Sequence, residues 1–205
     1  MLFILSGAAA TGKKSVVRIL KDKLENFECH DFNEIPVKDG ISRRRVNEEW
    51  VQKALVAQEN GNDFLLSAQS PFGELLACPS AIELEGIKCC LLDCHDFVRV
   101  DRYLARPQFE EWPLGMDTLC WAVFHRMHAH DPQWEQRVVV DKDLPEFGWE
   151  RWTSWQKGDK RWDVKIIDTT NNEMEYTTNL VQEWILGEKR KLQALTPETK
   201  WWLKN

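Results

Sequence analysis

One segment restricts the fold of this chain more than any other: Leu2-Phe3-Ile4-Leu5-Ser6 runs straight into Gly7-Ala8-Ala9-Ala10-Thr11-Gly12-Lys13, and a helical pattern follows at once. An apolar run without polar alternation reads as a strand buried on both faces, which is the signature of a central parallel strand. Beyond the loop, residues 15–24 place Val16, Val17, Leu20 and Leu24 on one helical face. The loop itself fits G-x-x-x-x-G-K. Glycines and small residues let its backbone curl until N–H groups converge on a phosphate, the helix start adds its positive end, and Lys13 can reach the phosphate oxygens. The residue after the lysine is usually Ser or Thr. Here it is Lys14, and Ser15 comes one position late.

Strand and helix patterns keep alternating. Residues 27–32, 63–68, 87–93 and 163–168 read as four more strands, and residues 42–59 and 172–186 as helices, the first with Val46, Trp50, Val51, Ala54 and Leu55 at helical spacing. Parallel returns need long crossovers, so this order predicts an α/β protein in three layers, a parallel sheet with helices on both faces. A chain of 205 residues suits one such domain. With 43% hydrophobic and 29% charged residues and no apolar run near the ~20 residues that span a bilayer, a membrane-spanning chain is excluded. The net charge of -6 argues against nucleic acid as the main partner, so any anion site must be local. The apolar start, residues 1–5, is too short for a secretion signal and lacks a basic leader, which predicts a cytoplasmic protein. Six cysteines without a CxxC pair read as buried, reduced thiols.

With strand, glycine loop and helix in that order, residues 7–15 resemble the P-loop kinases, in the adenylate-kinase-like variant where a glycine separates the lysine from the hydroxyl residue. Lys14 in that gap is a departure. A second match follows the fourth strand, where Arg99, Arg102 and Arg106 fall on one face of a helix, similar to the R-x-x-x-R lid motif of small-molecule and nucleotide kinases. A third is residues 163–170, which look like the final strand and turn of these kinases. The resemblance implies five strands in the order 2-3-1-4-5 and one domain over residues 1–205, with 108–160 as an enlarged tryptophan-rich lid or insertion.

It also implies a function: transfer of the γ-phosphoryl group of ATP, with Mg²⁺, to a small-molecule acceptor, nucleosides and nucleotides among the candidates. Gly7, Ala8, Ala9, Ala10, Thr11, Gly12, Lys13, Lys14 and Ser15 then form the nucleotide loop, with Ser15 as the metal-binding hydroxyl. Lys13, Asp31, Arg102 and Arg106 become the catalytic candidates, Asp31 because it follows the second strand at the sheet's carboxyl end. A capping aspartate is its alternative reading. Glu34, Arg44, Gln69 and Glu74 are the substrate candidates, Arg44 from a basic run, 43–45, that also fits a solvated helix face. A nucleotide-binding switch or scaffold without efficient transfer is the alternative function, motivated by Lys14 and by the lack of an acidic pair after the third strand.

Seven of the 11 tryptophans lie between residues 112 and 162. Within that stretch residues 116–130 read as a helix packing through Met116, Leu119, Cys120, Val123 and Met127, with Trp121, His125 and His128 on a different face. Two histidines with no third ligand in register make a poor metal site. The rings at 149, 152, 155 and 162 either line an acceptor pocket by stacking or anchor an insertion on the core.

Overall fold

The computed structural model describes residues 1–38, 42–107 and 113–193. Five parallel strands, β1 (Leu2–Ser6), β2 (Phe27–Asp31), β3 (Asp63–Ser67), β4 (Ile87–Asp93) and β5 (Val164–Asp168), form one sheet in the order β2-β3-β1-β4-β5. β1 is central and buried along its whole length, with Leu2 opposite Phe64 on one side and Ile87 on the other. Alternation along each strand divides the core in two. Leu2, Ile4, Phe64, Leu66 and Cys89 meet Trp50, Val51 and Ala54 of α2 (Arg43–Glu59) and Leu75 of α3 (Phe72–Ala77). Phe3, Leu5, Leu65, Cys90 and Leu92 meet Val16, Val17 and Leu20 of α1 (Lys13–Leu20) and Val181 and Ile185 of α7 (Met174–Gln193). This is the expected three-layer arrangement, with strand limits one residue shorter in places.

Two helices differ from expectation. α4 (Asp96–Leu104) stops before Arg106, which therefore lies beyond the face shared by Arg99 and Arg102. α5 (Met116–His130) has the expected limits but the opposite orientation. Ala122, Phe124, His125 and His128 are buried, while Met116 is 72% and Val123 46% exposed, and Met127 and Cys120 also face solvent. The reason is tertiary. Trp121 stacks on Phe124 at 5.0 Å, Phe124 on His128 at 5.1 Å, and His128 sits edge-on to Trp152 and Trp162, so the aromatic face buries more surface than the aliphatic one.

The segment from α5 to β5 belongs to the α2 side of the core. Trp149, Trp152, Trp155 and Trp162 share the cluster of Leu2 and Trp50. Trp152, fully buried in α6 (Glu150–Thr153), lies so close to α3 that a Cβ on Gly73 would fall 2.6 Å from its ring. Arg151 Nη1 donates to the carbonyls of Leu76 (2.9 Å) and Cys78 (2.6 Å), closing the same seam. These four rings are core and present no stacking face. Trp112 and the start of the expected insertion, residues 108–112, lie outside the described residues. Among the described residues no helix is long and apolar enough to cross a membrane.

Candidate active site

The glycine loop takes its shape from residues that only small side chains permit. Gly7 has φ +142°, and a Cβ there would sit 2.4 Å from the Leu92 carbonyl oxygen. Gly12, at φ +94°, is the N-cap of α1 in the left-handed region, where it supplies no side-chain cap. The first N–H groups of α1 therefore point outward without a side-chain acceptor, an arrangement suited to an anion. Thr11 Oγ1 donates to the Ala8 carbonyl at 3.1 Å, and Lys13 Nζ donates to the same carbonyl at 2.7 Å. The loop is folded around its own lysine.

Above the loop, at the carboxyl ends of β1, β2 and β3, opens a cleft. Lys13, Lys14, Arg43 and Arg106 line it together with one carboxylate, Asp31, and Ser15, Asn33, Ser67 and Gln69 contribute neutral polar groups. Burial lowers the Lys13 pKa to about 7, and Arg106, Arg43 and Arg99 add to that shift while Asp31 opposes it. Burial is the main cause, and the arginines outweigh Asp31 in adding to it, so part of the shift is one that a bound polyanion would offset.

The sequence candidates separate once placed. Asp31 lies in the cleft, and it also caps a 3-10 turn, Phe32–Glu34, as its alternative reading expects. Its Oδ1 accepts from Asn33 N (3.1 Å) and Nδ2 (3.0 Å), its Oδ2 from Ser67 Oγ (3.1 Å). Gln69 is in the cleft as well, and its main chain hydrogen-bonds the buried His125 ring. Glu34 is not; it accepts from Asp31 N (3.0 Å) and pairs with His30 Nδ1 (2.7 Å) at an exposed turn.

Three further candidates are occupied elsewhere. Arg44 donates from Nε to the Val139 carbonyl (2.8 Å) and from Nη2 to that of Val138 (2.9 Å), and pairs with Asp141 and Glu74. Buried Glu74 also accepts from Asn47 Nδ2 (3.0 Å), and burial raises its pKa. Arg44 thus ties α2 to the insertion through Val138, Val139 and Asp141 and to α3 through Glu74, outside the cleft lining. Arg102 Nη2 donates to the carbonyls of Thr169 (2.7 Å) and Thr170 (3.2 Å), which fixes the turn after β5, and Thr169 Oγ1 in turn donates to the Thr11 carbonyl (3.3 Å), so the guanidinium meets the loop through that turn.

Arg43, which the sequence places only within the basic run 43–45, and Arg99, which it places on the helix face of Arg102, take more definite positions. Arg43 lies over the Phe32 ring at 3.8 Å, lines the cleft, and has no ion pair among the described residues. Its signal was available, since Arg43 continues the buried stripe of Val46, Asn47 and Trp50. Arg99 is fully buried; only Nη2 finds a partner, Asp96 at 3.3 Å, and its Nε and Nη1 have none.

The donor set was tested against Mg²⁺, the ion implied by the resemblance. One carboxylate, hydrogen-bonded at both oxygens, stands among four cations, and no group of three or more His, Cys, Asp or Glu among the described residues is placed to hold a metal. These residues do not fit a directly coordinated, hard dication.

No protein-family profile and no curated protein sequence matches the chain. Solved structures do. A sugar kinase from Janibacter sp. HTCC2649 superimposes with a TM-score of 0.52 at 11% identity, covering 90% of this chain and 93% of that one. A gluconokinase from Sinorhizobium meliloti 1021 gives 0.51 at 12% identity, covering 94% and 97%. At such identities the likeness is one of architecture, and in architecture the chain has the fold of the P-loop kinases.

Proposed function

We propose that the chain is an ATP-dependent phosphotransferase that moves the γ-phosphoryl group to a hydroxyl of a small-molecule acceptor. The observation that carries this reading is the convergence of Lys13, Lys14, Arg43 and Arg106 with Asp31, the single carboxylate among the described lining residues, on one cleft beside the loop. Phosphoryl transfer needs positioning and charge stabilisation more than covalent help. The outward N–H groups of α1 and Lys13 hold the phosphate chain. Arg106, exposed beyond the end of α4, closes on it from the other side.

Asp31 then has one task. The acceptor oxygen attacks the γ-phosphorus, the bridging P–O bond breaks to release ADP, and the hydroxyl proton passes to the Asp31 carboxylate, whose orientation Asn33 and Ser67 fix. Arg43, held flat on Phe32, and Gln69 orient the acceptor. Arg102 acts as a positioning residue through the turn at Thr169 and Thr170. The names of the two structural neighbours put sugars and sugar acids first among acceptors, with nucleosides and nucleotides next. Five buried, unpaired cysteines suit a reducing compartment such as the cytoplasm. Neither nucleic acid nor a membrane is a partner in this reading.

The test is ADP release from ATP by the purified chain across a panel of sugars, sugar acids, nucleosides and nucleotides, with and without Mg²⁺. Acceptor-stimulated release that Asp31→Asn lowers by about 10²-fold supports it, the scale of general base catalysis. Tight nucleotide binding with no response to any acceptor favours the nucleotide switch, the reading motivated by Lys14 and by the lack of an acidic pair after the third strand.

A further inference from the structure

Position 14 is where the loop departs most from its usual chemistry, and the geometry gives the departure a direction. Lys14 is the second residue of α1, so its side chain leaves the helix at the phosphate end and lines the cleft. Its ammonium stands 3.9 Å from Asp31 Oδ1. Next to Ser15, the hydroxyl that would help to hold a metal ion, a tethered cation faces the only carboxylate among the described residues that line the cleft.

A dication entering here would meet four positive groups and a carboxylate already accepting from Asn33 and Ser67. Thr11 Oγ1 is turned to the Ala8 carbonyl, so Ser15 is the one hydroxyl that α1 offers. Mg²⁺ demands an oxygen octahedron and gives up its waters reluctantly. A lysine ammonium demands far less: it is a compact point charge with three donors on a flexible stem, already tethered to the site.

We infer that Lys14 takes the place of magnesium, so that the cleft binds the metal-free nucleotide polyphosphate, with the Lys14 ammonium bridging the phosphate chain and Asp31. This rests on the phosphotransferase reading and narrows it to the ionic form of the donor. Mg²⁺ in solution then competes with Lys14 for the same phosphate oxygens, so it weakens binding or leaves it unchanged.

Titration calorimetry of the full chain with ADP and with a non-hydrolysable ATP analogue, in EDTA and in excess Mg²⁺, reads this directly. Metal-free nucleotide should bind at least as tightly as its Mg²⁺ complex. Lys14→Ser should weaken metal-free binding by about tenfold, the scale of one charge-assisted hydrogen bond, and make Mg²⁺ tighten binding, while Lys14→Arg should retain the metal-free preference. Lys14 is 77% exposed, so neither substitution threatens the fold. Binding about tenfold tighter with Mg²⁺ in the unaltered chain overturns the inference. So does a Mg²⁺ response that Lys14→Ser leaves unchanged, and one that Ser15→Ala abolishes would assign the ion to Ser15. In each of those cases the phosphotransferase reading stands. Failure of nucleotide to bind under both conditions overturns the inference and that reading together.

Discussion

The glycine loop and the tryptophan-rich insertion are built on opposite principles. In the loop, backbone geometry comes from a few adjacent residues, and the cations have few counter-charges, Lys13 donating only to neutral oxygens of its own loop; burial and Arg106 lower its pKa to about 7. In the insertion, little is local. Trp152, His125 and His128 are positioned by one another and by α3, and their polar atoms are sacrificed to packing: Trp152 Nε1 and both histidine Nε2 atoms are buried without a hydrogen-bond partner. The first region holds a ligand's counter-charge and the second holds the fold. Substitutions should therefore divide cleanly, with stability lost in the insertion and binding lost in the loop.

Trp152→Ala should cost the most, about 3–5 kcal/mol of unfolding free energy, because a fully buried ring leaves a cavity that Gly73 cannot fill. Urea denaturation measures it, and the surviving folded protein should bind nucleotide with unchanged affinity. A loss below about 1 kcal/mol would mean that the ring is not part of the core.

Acid should strike the same region. Burial lowers the pKa of His125 to about 3, with Lys13, Arg43 and His128 adding to the shift and the Gln69 main chain opposing it. His128 falls to about 4, again by burial, against the Trp134 carbonyl and Asp131. Both histidines bind protons in the unfolded chain near pH 6.5 but not in the folded one. Stability is therefore intact above about 6.5 and falls as pH drops toward 4, where the folded histidines begin to charge. His128→Leu should flatten the decline of the urea midpoint between pH 6.5 and 4, and an identical slope would exclude His128 as its source.

The loop reverses this pattern. Lys13→Met should lower nucleotide affinity by roughly a hundredfold, the loss expected for a charge-assisted contact in a buried site. The free protein should nevertheless become more stable, because the folded Lys13 pKa of about 7 lies below its ordinary 10.5. The charged form is penalised most below pH 7, and the penalty fades as pH rises toward 10.5. The gain should follow the same course. A variant that loses both binding and stability at pH 6 would show that Lys13 supports the loop's fold.

How far each region could be read from sequence follows from the same contrast. The order of strand, loop and helix was legible because Gly7 and Gly12 encode their own backbone geometry, and the three-layer sheet because β1 is apolar from Leu2 to Leu5 and β4 from Cys89 to Leu92. The roles of neighbouring arginines were not. Arg43 and Arg44 differ by a single position, and it is Val138, Val139 and Asp141, nearly a hundred residues away, that draw Arg44 out of the cleft and leave Arg43 in it. Arg102 and Arg106 separate because α4 ends at Leu104; Pro107 marks the neighbourhood of that end in the sequence, but not which arginine the end leaves outside the helix.

The orientation of α5 offers the finest test, because both its faces carry apolar residues and helical spacing alone favours neither. Met116, Cys120, Val123 and Met127 form the aliphatic face, and the structure exposes it. Phe124, one residue from Val123, is buried against Trp121 and His128. Val123→Lys should then change the unfolding free energy by less than about 0.5 kcal/mol, as for other solvent-facing substitutions, while Phe124→Ala costs several times more. The lysine removes a β-branched residue from a helix, which offsets part of the lost apolar contact. If Val123→Lys is instead as costly as Phe124→Ala, the aliphatic face is a packed one, and the aromatic stack at His128 no longer accounts for how the insertion is held.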